Sequence, residues 1–86
     1  MAPDELSDYL RREQRYAEQT MLKLVPRVPD SIRYEKLWPQ VLARHVVRRP
    51  DVNEIASRLR REGALFFPDW EKGKKVPHDK YRTQLQ

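Results

Sequence analysis

The run PDVNEIASRLRREG, residues 50–63, constrains this chain more than any other stretch, because both ends of a short helix are written into it. Asp51 stands at an N-cap position and Glu54 follows three residues later, the capping-box spacing in which two side chains satisfy orphan backbone donors. Gly63 supplies a residue able to close the helix with positive φ. Between these ends Val52, Ile55, Ala56 and Leu59 recur at helical spacing, forming one apolar stripe that has to face a core. The other face carries Asn53, Ser57 and Arg61, flanked by Arg58 and Arg60. That polar face is where the sequence concentrates candidate contacts with an external partner.

A chain of 86 residues makes one domain at most, and at that size folding removes only about 60–65% of the unfolded surface from water. The core therefore has to be small and efficient. With no cysteine the chain has neither a disulfide framework nor a thiolate metal site, so packing alone must hold it. No stretch approaches the roughly 18 consecutive apolar residues of a membrane span. Asp4, Glu5 and Asp8 occupy the places where a secretory signal would put a basic start and an apolar run. The expected location is cytoplasmic, with no membrane partner and no cofactor. The formal charge of +5 is unevenly placed: residues 1–31 carry −1 and the remainder +6. A basic half joined to a nearly neutral one suggests that the second half meets something anionic, nucleic acid being the commonest candidate; a solvated basic surface without a partner is the plainer alternative.

Before the capped helix, Pro3 and Asp4 announce a first helix over residues 5–24, with Asp4 as cap and acidic side chains in its first turn, where the helix dipole favours them. Leu6, Tyr9, Leu10, Ala17, Met21 and Leu24 share one side, interrupted by Glu13 and Gln14. Such a helix has three possible destinations: its own domain, a copy of itself in a homodimer, or a larger neighbour that it once dressed. Residues 26–30, PRVPD, end it and form a stiff connector. Ser31, Ile32 and Arg33 suffice for a very short strand. Tyr34, Leu37, Trp38, Val41, Leu42 and His45 then recur at helical spacing as the most apolar stripe of the chain, with Pro39 predicting a bend or a late start. Trp38 reads as core, and His45 as a hydrogen-bonded residue at the core edge.

A connection of four or five residues joins this helix to the capped one, the helix-turn-helix arrangement. After Gly63 the period changes. Residues 64–67 and 80–85 read as two strands, with Tyr81, Thr83 and Leu85 on one side. Between them Lys72, Lys74 and Lys75 surround Gly73 as a basic hairpin tip, and Trp70 reads as the aromatic packing its base.

Short strand, helix, turn, helix and two-stranded hairpin is the order of a winged helix-turn-helix domain. The expected fold is thus mainly α with a small β-hairpin, a winged helix-turn-helix over residues 31–86 preceded by an N-terminal amphipathic helix and proline-containing connector over residues 1–30. In DNA-binding domains of this kind the second helix of the motif enters the major groove while the wing lies along the backbone or in the adjacent minor groove. Asn53 suits adenine, Arg60 or Arg61 suits guanine, and Ser57 can reach a base or a phosphate. Lys72, Lys74 and Lys75 need only neutralise phosphates, and Arg58 completes the set unless it is spent on a pair with Glu54.

The segments RYEKLWP, HVVR, DVN and FPDW, the last followed by a lysine-glycine hairpin, also carry a resemblance. Over residues 33–82 the chain resembles the winged-helix domain at the C-terminus of three-Cys-motif partner proteins, a bacterial family. The resemblance implies a winged helix of bacterial or phage origin and carries over no activity; residues 1–32 lie outside it. The expected function is a small regulator binding double-stranded DNA. The alternative is a protein-interaction module, such as a phage inhibitor or the targeting domain of a multi-part bacterial system. An enzyme is not expected, since the chain has no metal-ligand cluster, no glycine-rich phosphate loop and no carboxylate pair outside a helix start.

Overall fold

The computed structural model describes residues 3–86. Three helices, α1 (Pro3–Leu24), α2 (Tyr34–Arg44) and α3 (Arg49–Arg61), accompany three short strands, β1 (Ile32–Arg33), β2 (Leu65–Phe66) and β3 (Arg82–Leu85). The strands form one antiparallel sheet in the order β1-β3-β2, with Ile32 opposite Thr83 and Leu65 opposite Leu85. The result is mainly helical with a small sheet. None of the described helices is long and apolar enough to cross a membrane.

α3 shows how closely local chemistry sets an element's ends. Its C-terminus is a Schellman motif: Ala64 N–H donates to the Leu59 carbonyl at 2.9 Å and Gly63 N–H to that of Arg60 at 3.1 Å, with Gly63 at φ +83°. The N-terminus differs from the expectation. The helix starts at Arg49, and Asp51 sits in its first turn, accepting the Arg48 backbone N–H at 2.9 Å. Asp51 therefore plays the back-reaching acidic role expected of Glu54, which is exposed. Pro50 explains the shift: in the first turn its missing N–H costs nothing and its fixed φ is already helical. α1 likewise begins earlier than expected, with Pro3 and Asp4 already in the helix. α2 runs through Pro39 from Tyr34 onwards, without the late start that proline suggested.

The core joins every element. Ala17, Met21 and Val25 from α1 and its end, Tyr34, Leu37 and Val41 from α2, Val52, Ile55, Ala56 and Leu59 from α3, and Leu65, Phe67 and Tyr81 from the sheet region form one buried cluster. The second half of α1 thus shares one buried cluster with the elements of residues 31–86. The connector joins too: Leu85 N–H donates to the Pro26 carbonyl at 2.8 Å, and the buried Gln84 amide donates to the Pro29 carbonyl at 3.3 Å. β3 is consequently covered on both faces. Tyr81, Thr83 and Leu85 face the core as their alternation required, while Gln84 is buried beneath the connector.

The start of α2 is anchored by the approach to β3. Tyr34 N–H donates to the Tyr81 carbonyl at 2.9 Å and Glu35 N–H to that of Asp79 at 2.8 Å, so two orphan donors of the helix find partners in the loop. The other end of α2 is tied to α1, where His45 Nε2 and Thr20 Oγ1 lie 2.6 Å apart. His45 is the hydrogen-bonded core-edge residue its position predicted.

Candidate nucleic-acid interface

α3 presents its apolar stripe to the core, and two other structures wall its flanks. On one side α1 supplies Glu18, whose carboxylate lies 3.2 Å from the Arg58 guanidinium. Arg58 also meets Glu62 at 3.2 Å, one turn along α3, and forms no pair with Glu54. Its charge is thus divided between two internal carboxylates, and the hydrogen bond to Glu18 is the main reason the guanidinium holds its proton more tightly than usual.

On the other side lies the loop between β2 and β3. The Ser57 hydroxyl donates to the Lys75 carbonyl at 2.8 Å, and Ser57 is only 4% exposed. The expectation that Ser57 reaches a base or phosphate is therefore corrected. Serine's short side chain lies under the hairpin loop, where its hydroxyl satisfies a backbone acceptor that would otherwise be left beside the helix. Asn53 is partly committed as well: its Oδ1 accepts the Tyr34 hydroxyl at 2.6 Å, which takes one of the oxygen's two acceptor positions. Burial pushes the Tyr34 hydroxyl well above the ordinary phenol range, with Asp79 adding to the rise and Arg49 opposing it, so the group stays protonated and remains a donor. The bidentate adenine contact expected of Asn53 needs the same oxygen, which would then accept from Tyr34 and from the base together.

Arg60 and Arg61 behave differently. The Arg60 guanidinium lies 4.1 Å from the Trp70 ring centroid, a cation-π contact that leaves its outer face in solvent. Trp70 itself packs between Phe67, at 5.3 Å between ring centroids, and Tyr81, at 5.8 Å, and so anchors the base of the hairpin. Arg61 is exposed and makes no ion pair among the described residues. Lys72, Lys74 and Lys75 are exposed around Gly73, whose φ of +87° permits the tight turn. The pinning of Lys75 to Ser57 thus brings the lysine-bearing loop against the flank of α3 that also carries Asn53 and Arg60.

Two further clusters stiffen this side. Asp79 Oδ1 accepts Trp38 Nε1 at 3.2 Å and the Arg49 guanidinium at 2.6 Å, while Arg49 stacks over Trp38 at 4.2 Å. One carboxylate thereby ties the loop to α2 and to the first turn of α3. Asp69 accepts the Arg82 backbone N–H at 2.9 Å and its guanidinium at 3.0 Å, and these hydrogen bonds hold the Asp69 carboxyl below the usual carboxylate range. Sequence reasoning did not reach the Asp79 cluster, because Asp79 lies 30 residues from Arg49 and 41 from Trp38 and nothing local links them.

Arg60, Arg61 and three loop lysines offer cations, while Glu54, Glu62 and Glu71 are exposed among them and limit the field. Comparison with family models, with curated protein sequences and with solved structures gives no match for this chain.

Proposed function

We propose that the protein is a cytoplasmic winged helix-turn-helix that binds double-stranded DNA chiefly through its phosphates, as a small regulator and not as an enzyme. α3 would address the major groove and the β2–β3 loop the adjoining backbone. The observation that carries this reading is the Ser57–Lys75 hydrogen bond, since it makes the lysine loop and α3 one surface instead of two independent ones. With Ser57 covered and the Asn53 oxygen shared with Tyr34, base readout falls chiefly to Arg61, with the Asn53 amide beside it. Affinity therefore exceeds specificity. Fluorescence anisotropy on a random duplex, titrated with salt, should give a log-log slope of about −0.9 for each phosphate neutralised. No measurable binding at low salt overturns the reading.

A protein-interaction module is the second reading, favoured by the carboxylates of Glu54 and Glu62, which stand exposed beside the α3 cations. Capture of a polypeptide by the α3 and loop surface from nuclease-treated bacterial lysate, combined with failure to bind duplex, would favour it over the first.

A further inference from the structure

Both tryptophans of the chain carry a guanidinium on the ring, Arg49 over Trp38 at 4.2 Å and Arg60 over Trp70 at 4.1 Å. The two stacks differ in what becomes of the guanidinium edge. Arg49 closes its own within the fold, donating to Asp79 at 2.6 Å. Arg60 is exposed, and its side chain makes no hydrogen bond or ion pair among the described residues; Glu62, two residues along α3, is paired with Arg58 instead. Stacking uses the flat face of a guanidinium and leaves its in-plane N–H donors free, the fork that matches two oxygens of one phosphate.

The support under Arg60 is rigid. Trp70 packs at 5.3 Å from Phe67 and 5.8 Å from Tyr81, both buried, and Phe67 in turn meets Tyr34, at the start of α2, at 6.3 Å. A chain of rings thus runs from the core to the surface and ends under Arg60. One turn earlier on α3, Ser57 holds the same loop at Lys75. A long side chain that ordinarily samples many rotamers is thereby restricted before any ligand arrives.

We propose that Arg60 grips one backbone phosphate of duplex DNA through its N–H fork, and that Trp70 is its positioning residue, setting the guanidinium in place in advance and so lowering the ordering cost of binding. Trp70 then offers no platform to an unstacked base, because Arg60 lies on its ring. The inference rests on the duplex-binding reading, and it gives Arg60 a phosphate where helix position alone allowed a guanine.

Fluorescence anisotropy on a random duplex across a salt series tests it, with circular dichroism and urea denaturation to check each fold. Arg60→Ala should weaken binding about tenfold or more and reduce the magnitude of the salt slope by about 0.9. Trp70→Leu should weaken binding about two- to tenfold at unchanged slope, because the charge remains and only its placement is lost. Trp70→Tyr, which keeps an aromatic face, should recover most of that loss. In the Arg60→Ala background Trp70→Leu should weaken binding no further. A loss from Trp70→Leu that persists without Arg60 means that the ring only braces the loop, and overturns the proposal. Arg60→Lys keeps the charge and the tryptophan but not the planar fork, so it should weaken binding at unchanged slope; parent-like affinity in that variant overturns the proposal even if Trp70→Leu misfolds. A parent that binds no duplex removes the reading and this proposal with it, whereas a parent that binds no better than Arg60→Ala overturns this proposal alone.

Discussion

α1 and α3 are both amphipathic helices with apolar stripes at regular spacing, yet they end in opposite situations. α3 is walled on both flanks, by Glu18 of α1 against Arg58 and by the hairpin loop against Ser57, so much of its polar face is engaged inside the molecule. α1 has a second half buried to the last atom at Ala17 and Met21, and a first half whose leucines stand in solvent. The difference teaches that a stripe states which side wants covering and leaves open what covers it. It teaches the converse too, because polarity did not keep Ser57 at the surface.

The largest expected effect separates the two halves of α1. Met21→Ala should cost about 2–5 kcal/mol in urea denaturation, as truncation of a fully buried side chain does, whereas Leu6→Ala measured at low protein concentration should stay within about 0.5 kcal/mol. Equal losses would erase the contrast. Next comes the wall on α3: Ser57→Ala should cost about 0.5–1.5 kcal/mol and speed amide exchange around Lys74 to Val76 without altering exchange in α1. An unchanged loop would mean that the bond to Lys75 does not hold it.

A smaller effect sharpens the functional side of the comparison. Lys74→Ala or Lys75→Ala should reduce the magnitude of the salt slope on duplex DNA by about 0.9 each, while Arg12→Ala on α1 should leave the slope as it was. The reverse pattern would move the anion-binding surface to α1. The smallest effect concerns pH. Because Asp69 titrates below its ordinary range in the folded protein, through its hydrogen bonds to Arg82, its contribution is present above the unfolded carboxylate pKa and is lost as pH falls through the folded value. Asp69→Asn should therefore flatten the acid side of a Tm–pH profile slightly, the pair being largely exposed.

Much of the fold was legible because its signals are local. The stripe Val52, Ile55, Ala56, Leu59, the positive φ at Gly63 and the alternation of Tyr81, Thr83 and Leu85 follow from helix period, glycine geometry and strand period, and all appear in the structure. The start of α3 lies three residues before the expected one because Asp51 can serve as a cap or as the residue that reaches back to one, and Pro50 decides in favour of the second. The candidate surface was less legible. Arg61 and the three lysines were read correctly as exposed. Ser57, Asn53 and Arg58 were read as outward when each has an internal partner, 18 residues away at Lys75, 19 away at Tyr34, and across the fold at Glu18.

By itself, then, the sequence determined the elements, their apolar faces, the closure of α3 at Gly63 and the uneven charge, since each depends on residues within a turn or two of one another. Only the tertiary structure decided which polar side chains remain available, because a hydroxyl or carbonyl is committed by whatever the fold brings within hydrogen-bond distance. It also decided where the stripe of α1 runs out of domain to cover, which depends on how far the other helices extend along it and not on anything α1 encodes.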